Sequence, residues 1–497
     1  MIAELTPTAL LDDATALLSK LGVEARRVTS DSRRVQPGDV FAAYPGSRRD
    51  GRSFIAEAVG RGARAILWDP QGFVWDRAWK LPHLPVDNLK MRLGGIADAV
   101  YGQPSRELWM IGVTGTNGKT SCAHWIAAGL DAAGRRAAVL GTLGNGLWGA
   151  LEEAPNTTPD AALLHETLRN LKSQGAEAVS MEVSSHGIEQ GRVNAIAFDV
   201  ALFTNLSRDH LDYHGTMAAY GAAKAKLFAW PDLRVGVVNA DDAFGKSLID
   251  ASRTAGRKIL TYGFGAADIV GTRLTASTSG LGFAVETPWG KGEIHARLVG
   301  AFNAANLLGV LAVLLVSGVG IEPAVTILAN AEAPPGRMQR LGGDDGAPLV
   351  VIDYAHTPDA LDKVLTSLRP AVAGDGELVC VFGCGGDRDR GKRPEMGRVA
   401  ARLADRVIVT SDNPRSEEPD AIASDIVRGI RDTGNRRYAV ELDRADAIAR
   451  AIGDAEAGDV VVIAGKGHEP YQEAAGVRVP FLDADHAARS LAARSGR

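Results

Sequence analysis

The chain has 497 residues, 45% of them hydrophobic and 23% charged, and a formal net charge of −5. That length is too great for one core and predicts about three domains of an ordinary soluble globular protein. So slight a charge argues against a nucleic-acid or membrane-surface partner, and any anionic ligand has to meet local basic residues.

No basic residue precedes Lys20, while Glu4, Asp12 and Asp13 are acidic, so no secretory leader is expected. Residues 2–22 carry Leu5, Leu10, Ala14, Leu17, Leu18 and Leu21 near a helical period. Two loops follow, Thr29–Phe41 with its Pro37-Gly38 turn and Pro45–Gly51, separated by a short strand Val40–Tyr44. Both combine hydroxyls, arginines and glycine, a composition that suits either a diphosphate site or a solvated basic loop. A strand Ala65–Trp68 and a helix Leu93–Tyr101 lead to Gly102-Gln-Pro104, a candidate domain boundary.

The strand Leu108–Val113 then runs through Thr114-Gly-Thr-Asn-Gly-Lys-Thr120 into the helix-like Cys122–Leu130. Glycines on a strand-to-helix turn let successive N–H groups and the helix N-terminus face one anion. Lys119 is placed for terminal phosphates and Thr120 for Mg²⁺. The strict phosphate-loop pattern has glycine where this chain has Val113, so the loop is a variant.

Strands Ala137–Leu140, Ala178–Val183, Val200–Thr204 and Val235–Asn239, with a helix over Ala161–Leu171, predict a parallel sheet covered on both faces. Residues 266–299 have the short alternations of an antiparallel insertion, and Phe302–Val319 is an apolar helix. Its longest apolar run, Leu307–Val319, is interrupted and short for a membrane span. Ala333-Pro-Pro-Gly336 marks a second boundary, after which the α/β rhythm restarts. Strands are expected at Leu349–Tyr354, Leu378–Phe382, Val407–Thr410 and Val460–Ala464, and helices at Ala360–Leu368 and Met396–Leu403. Ligands of open α/β sheets bind beyond the carboxyl ends of strands, where Asp387-Arg-Asp-Arg390, Asp412-Asn-Pro-Arg415 and Gly465-Lys-Gly-His-Glu469 lie.

Glu182 in an otherwise apolar strand implies a cationic partner. Asp209-His-Leu-Asp-Tyr-His214 is either a ligand cluster or a polar turn. Lys224, read from its surroundings alone, is a solvated surface lysine. Cys122, Cys380 and Cys384 form no disulfide framework and fit a reducing cytoplasm, and no partner Cys or His pair near Cys380 and Cys384 favours a metal.

Taken together, Asp31-Ser-Arg33, Thr114–Thr120, Asn156-Thr-Thr-Pro159, Glu182-Val-Ser-Ser-His186, Asp209–His214, Phe302-Asn-Ala-Ala-Asn306, Pro335-Gly-Arg-Met338, Asp353-Tyr-Ala-His-Thr-Pro358, Gly385-Gly-Asp-Arg-Asp389, Asp412–Arg415 and Gly465–Glu469 resemble the ordered motifs of the Mur ligases. These are the ATP-dependent amide ligases of peptidoglycan synthesis, and their own loop shares the Val113 departure. The resemblance implies an α/β protein of three domains: a smaller N-terminal α/β domain for the UDP portion (1–105), a central phosphate-loop ATPase with a parallel sheet (106–336), and a C-terminal Rossmann-like domain for the amino acid (337–497).

The resemblance further implies that ATP meets Gly115, Thr116, Asn117, Gly118, Lys119, Thr120, Ser121, Asn303, Asn306, Arg337 and Asp353. Ser30, Ser32, Ser47, Arg48, Asn156, Thr157, Thr158, Ser184, Gln190 and Arg192 would bind the UDP-sugar-peptide. Two Mg²⁺ would be served by Thr120, Glu182, His210 and Lys224, the last as a carbamate formed with CO₂. Lys119, Glu182, His210 and Lys224 would be the catalytic set. Arg388, Asp412, Asn413, Pro414, Arg415, Gly465 and Glu469 would take the incoming amino acid. Asp-Asn-Pro-Arg is similar to the branch that adds meso-diaminopimelate; Arg415 could hold a second carboxylate that L-lysine lacks.

The implied reaction is ATP-dependent addition of meso-2,6-diaminopimelate to UDP-N-acetylmuramoyl-L-alanyl-D-glutamate through an acyl phosphate, by a cytoplasmic monomer. Addition of L-lysine, another ligase of the superfamily such as folylpolyglutamate synthase, and a phosphate-loop NTPase without ligase chemistry are the rival readings.

Overall fold

A computed structural model describes residues 7–46, 49–154, 156–344 and 346–495. The chain divides into two compact units, Met1–Asp268 with Ala312–Val319, and Ile269–Leu311 with Gly320–Arg497.

In the first unit, strands β1 to β4 (Val28–Thr29, Val40–Ala43, Ala65–Trp68, His83–Pro85) form a parallel sheet in sequence order. β2 and β3 are buried along their whole length, as their unbroken apolar sequences require. Helix Leu89–Tyr101 covers one face through Leu89, Leu93, Ile96 and Ala97. Its last residue is pinned to β1, the Tyr101 hydroxyl donating to Val28 O at 3.0 Å and accepting from Val28 N at 3.2 Å.

A second sheet in this unit contains β5 (Trp109–Thr114), β6 (Ala137–Gly141), β7 (Gly144–Leu147), β8 (Ala150–Glu152), β9 (Ala178–Glu182), β10 (Val200–Phe203), β11 (Val235–Asn239) and β12 (Ile259–Gly263). Their spatial order is β12-β11-β10-β5-β9-β6-β7-β8, parallel from β12 to β6, with β7 and β8 added antiparallel. β5 is therefore interior, between β10 and β9, and its carboxyl end opens where the strand order reverses. Helix Ala161–Ser173 starts at Asp160, whose carboxylate accepts from Ala162 N and Leu163 N. Glu166 on this helix takes Arg27 Nε at 2.5 Å and Arg34 Nη2 at 3.1 Å. Beside it, buried His165 sits with Nδ1 3.3 Å from Asp98 Oδ1 and Nε2 3.2 Å from Asn194 O. The loops of the N-terminal sheet are thereby tied to the helix that leads into β9.

In the second unit, β13 (Ile269–Ser277), β14 (Gly280–Thr287) and β15 (Gly290–Ala296) form the expected antiparallel insertion. Strands β16 (Gln339–Gly342), β17 (Leu349–Asp353), β18 (Leu378–Phe382), β19 (Arg406–Val409), β20 (Tyr438–Val440) and β21 (Val460–Ala464) stand in the order β16-β17-β21-β18-β19-β20. All but β16 are parallel. Apolar side chains bury both faces: Leu349, Cys380, Phe382 and Val462 on one, Val350, Val379, Val461 and Ile463 on the other. A hairpin of β22 (Tyr471–Ala474) and β23 (Val477–Pro480) follows β21.

The apolar helix runs Phe302–Val316, with Leu307–Leu315 buried throughout. Among the described residues no helix is long and apolar enough to cross a membrane, and all three cysteines are free and buried.

Most expected elements are present, several helices beginning a turn earlier than expected. Leu89–Tyr101, Lys119–Ala132 and Lys392–Leu403 gain first turns whose charged or polar residues hide the apolar period. Helices Pro419–Asp432, Arg444–Asp454 and Asp483–Ser495 were not anticipated, although Ile422, Ile426 and Ile430 recur every four residues behind Pro419 at the helix start.

Candidate active site

The turn after β5 is held open by its neighbours. Gly115 has φ +150°, and a Cβ there would lie 1.9 Å from Thr204 Oγ1, so only glycine fits. The segment after β10 clamps the turn: Thr116 N donates to Asn205 O at 2.8 Å, Asn117 N to Asn205 Oδ1 at 3.1 Å, and Thr204 Oγ1 to Asn117 O at 2.6 Å. Gly118, with φ +84°, starts helix Lys119–Ala132. Lys119 Nζ folds back onto Gly115 O (3.0 Å) and Thr116 O (2.9 Å), and Ser121 is buried in the first turn. The backbone N–H groups and a lysine at one helix N-terminus make an anion cradle. Thr204, Asn205 and Ser207 are structural partners that the motif itself does not reveal.

Glu182, at the end of β9 beside β5, is 1% exposed. Among the described residues its hydrogen bonds come from no cation, contrary to expectation: Oε2 accepts from Thr120 Oγ1 at 3.0 Å and Oε1 from Thr142 N at 2.7 Å. Both donors are neutral groups. A hydroxyl and a carboxylate oxygen side by side form a donor set suited to a hard divalent cation.

Lys224 is also 1% exposed, which overturns the reading of it as a solvated surface residue. Its Nζ donates to Gly115 O at 2.8 Å and lies 4.4 Å from the centroid of the Tyr220 ring, whose hydroxyl is 3.2 Å from Thr116 Oγ1. Small neighbours on its helix leave room for that burial. Desolvation, and then Lys119, hold its amine well below the usual lysine range. Burial favours the uncharged amine, the form that reaction with CO₂ would require.

His210 has φ +53° and starts the short helix Leu211–His214. Its ring lies 4.7 Å from that of His186 and 5.9 Å from that of Tyr220, and burial lowers its pKa. Among the described residues no group of three or more His, Cys, Asp or Glu side chains is gathered to hold a metal, here or elsewhere.

Thr158, Ser184, Gln190 and Arg192 are brought together beside Glu182. Thr158 Oγ1 donates to Glu182 O at 2.8 Å, Ser184 N to Thr158 Oγ1 at 3.1 Å, and Arg192 Nη1 to Thr158 O at 2.8 Å. Gln190 Oε1 accepts from Arg192 Nη2 at 2.7 Å. Thr157 Oγ1 is 3.0 Å from Thr142 Oγ1, and Asn156 is exposed. Ser30 Oγ donates to Asp160 Oδ1 at 3.2 Å and Ser32 Oγ to Glu57 Oε2 at 2.9 Å. Ser47 and Arg48 lie outside the described residues.

In the second unit, Asn303 Nδ2 donates to Val299 O at 2.8 Å and Asn306 Nδ2 to Asn303 Oδ1 at 3.1 Å. Asp353 receives Met338 N (2.9 Å) and Ala355 N (2.8 Å), while the Arg337 guanidinium stands 4.6 Å from the centroid of Tyr354.

The three polar clusters at the carboxyl ends of β18, β19 and β21 are adjacent because these strands are neighbours in the sheet. Gly386 N donates to Asn413 O at 2.9 Å, and a Cβ on Gly465 would come 2.8 Å from Asp412 Oδ2. Asn413 Nδ2 donates to Glu469 Oε2 at 2.8 Å. Pro414 is buried, its carbonyl oxygen leaving no space for a side chain on Gly386. Arg415 has the unusual φ of +53° and is held there by Arg415 N to Glu473 O (3.0 Å) and Ala475 N to Arg415 O (2.6 Å). Its Nη1 donates to Gly386 O at 2.8 Å, and its charge also helps hold the Asp387 carboxyl below the usual carboxylate range, after the hydrogen bonds from Ser416.

Arg388 is exposed on the neighbouring loop. That loop is braced by residues the motifs did not single out: Arg393, 1% exposed, pairs with Glu417 at 2.8 Å and Asp425 at 3.2 Å. Under the strand ends, Arg444 and Asp483 form a fully buried pair at 2.7 Å, and Arg444 Nη2 also donates to Ala464 O at 3.1 Å.

Comparison with known proteins matches three family models in order along the chain: Mur ligase family catalytic domain over residues 24–101, Mur ligase middle domain over 113–314, and Mur ligase glutamate ligase domain over 336–467. The UDP-N-acetylmuramoyl-L-alanyl-D-glutamate–2,6-diaminopimelate ligase of Chromobacterium violaceum is 51% identical over 490 residues, 98% of each chain. A solved structure of a ligase with that same name is 38% identical with a TM-score of 0.70, covering 96% of this chain and 99% of the other. Folylpolyglutamate synthase of Mycobacterium tuberculosis, complexed with ADP and AMPPCP, is 21% identical with a TM-score of 0.62 over 76% of this chain and 92% of its own, and shares the fold. With an anion cradle in one unit and a charged cluster on three neighbouring strand ends in the other, and with three family models matched in order, the chain belongs to the Mur ligase family.

Proposed function

We propose that the protein joins meso-2,6-diaminopimelate to UDP-N-acetylmuramoyl-L-alanyl-D-glutamate, consuming ATP and giving the UDP-linked tripeptide used in peptidoglycan synthesis. The observation that carries this choice is Arg415, a half-buried guanidinium that donates to a main-chain carbonyl, Gly386 O, and is set at strand ends shared with Asp412 and Glu469. The far end of diaminopimelate bears one carboxylate and one ammonium, and these residues complement both. L-lysine offers no carboxylate there and forgoes that charge-assisted hydrogen bond, about 1.5–3 kcal/mol.

In this reaction the γ-carboxylate of the D-glutamyl residue takes the terminal phosphoryl group of ATP and becomes an acyl phosphate. The amine of diaminopimelate attacks that carbonyl carbon, a proton is lost from nitrogen, and phosphate leaves from the tetrahedral intermediate. No protein nucleophile is needed, so the chain's contribution is positioning and electrostatics. The N–H groups of Gly118 to Ser121 and Lys119 hold the phosphates, those of Thr116 and Asn117 being committed to Asn205, and Arg388 and Arg415 hold carboxylates of the incoming amino acid. Thr120, Glu182, His210 and carbamylated Lys224 would hold two Mg²⁺, which when bound offset the crowded negative charge. Asn303, Asn306, Arg337 and Asp353 serve the nucleotide, and Ser30, Ser32, Ser47, Arg48, Asn156, Thr157, Thr158, Ser184, Gln190 and Arg192 serve the UDP-linked substrate, both by family resemblance.

On the same reading the chain works as a cytoplasmic monomer with domain boundaries near residues 105 and 336. Phosphate release from ATP, measured with the UDP-linked dipeptide and either meso-diaminopimelate, L-lysine or no amine, tests the proposal. It should be fast with diaminopimelate alone; release indifferent to the amine would exclude ligase chemistry.

A further inference from the structure

Lys466 has no part in the reaction as written, yet its side chain is wholly inaccessible. A buried ammonium is retained only where its charge and its N–H donors are matched. Its Nζ donates to Asn413 Oδ1 at 3.1 Å and to Glu469 Oε2 at 3.3 Å, with the centroid of the Tyr471 ring 5.6 Å away. Asn413 Oδ1 also accepts from Glu473 N at 2.9 Å, while Asn413 Nδ2 donates to Glu469 Oε2 at 2.8 Å. Two donors at one end of the amide and a carboxylate at the other fix its orientation, because a flipped amide would set N–H against N–H and oxygen against oxygen.

The consequence falls on Glu469. Its Oε2 receives both Lys466 and Asn413, whereas Oε1 has no hydrogen bond within the network and the side chain is 23% exposed. One oxygen is anchored, and among the described residues the other accepts no hydrogen bond. We propose that Lys466 is a positioning residue for the far end of the incoming amino acid: it anchors Glu469 through one oxygen so that the other meets the far ammonium. This rests on the reading of Glu469 as an acceptor for that ammonium. Lys466 acts through Asn413 and Glu469 and touches neither ATP nor the reacting amine.

The test compares the wild-type protein with Lys466→Met, close in length but uncharged, using meso-diaminopimelate and 2-aminopimelate, which keeps the far carboxylate and lacks the far amine. The second compound is measured as a substrate or as a competitor of the first. For diaminopimelate KM should rise about tenfold or more, with kcat at saturation kept within about threefold, because binding of the far end is the interaction lost. For 2-aminopimelate the two proteins should have equal constants, and Lys466→Arg, which restores the charge, should recover part of the loss. Equal losses with both compounds, or no loss with either, would overturn the proposal. If Lys466→Met does not fold, Lys466→Gln carries the same comparison. A wild-type protein that forms no tripeptide nucleotide refutes the ligase reading itself; one that forms it while Lys466→Met retains its KM refutes only the role of Lys466.

Discussion

Replacing Glu182 by Gln separates the proposed cation site from the fold. The carboxylate is 1% exposed and accepts one N–H, from Thr142 at 2.7 Å, and one O–H, from Thr120 at 3.0 Å. Glutamine has the same shape; its carbonyl can keep the Thr142 N–H, and its NH₂ can donate to the Thr120 hydroxyl, which rotates to accept. The structural loss is the difference between charge-assisted and neutral hydrogen bonds, about 1–2 kcal/mol, which lowers the midpoint of thermal unfolding by only about 2–8 °C. What glutamine cannot replace is an anionic oxygen for a divalent cation. Loss of one such electrostatic contact should lower kcat by roughly 100- to 1000-fold, about 3–4 kcal/mol, and raise the Mg²⁺ concentration needed for half-maximal rate. The assay is phosphate release over a Mg²⁺ titration, with thermal unfolding alongside. A folded Glu182→Gln variant within about threefold of wild type at limiting Mg²⁺ would refute the reasoning.

Three further outcomes follow from the same geometry. Lys224→Ala should lose most activity and regain part of it with an added short-chain carboxylate standing in for the carbamate; full activity without addition would remove Lys224 from the site. Arg415→Ala should raise KM for diaminopimelate about 100-fold or more while leaving KM for ATP unchanged, as measured by steady-state kinetics; an unaltered KM for diaminopimelate would count against the assignment. Arg393 and the backbone N–H of Asp387 pull the Glu417 carboxyl down to about 2 from its usual 4.5. Because the unfolded chain binds this proton first, the group's stabilisation is complete above pH 4.5 and is lost as pH falls toward 2. Acid unfolding of Glu417→Gln should therefore lose part of the wild-type pH dependence in that window, and parallel curves would contradict the pairing.

Polar clusters were easier to place from the sequence than the contacts that support them. Strand-to-helix glycines, and polar clusters following the apolar strands β18, β19 and β21, are local patterns, so the glycine turn and the charged strand ends are legible without coordinates. Lys224 reads as a surface residue in the sequence because its burial comes from the Tyr220 ring and the carbonyl of Gly115, the latter 109 residues away. The partners of Glu182 were misjudged for a related reason: an apolar strand shows that a carboxylate is buried, but the donors that meet it are a helix hydroxyl 62 residues earlier and a loop N–H 40 residues earlier. Glu166 with Arg27, and Arg444 with Asp483, are pairs whose members read separately as ordinary surface charges. Helix starts were missed where polar first turns conceal the period that a later turn makes plain.

The most direct measurement is the mass of the nucleotide product formed when the protein is given ATP, Mg²⁺, UDP-N-acetylmuramoyl-L-alanyl-D-glutamate and equal concentrations of meso-diaminopimelate and L-lysine. The expected result is a single UDP-linked tripeptide bearing diaminopimelate, formed in step with ADP and phosphate. A product bearing lysine in comparable amount would contradict the role given to Arg415, and hydrolysis of ATP with no tripeptide would contradict the ligase assignment as a whole.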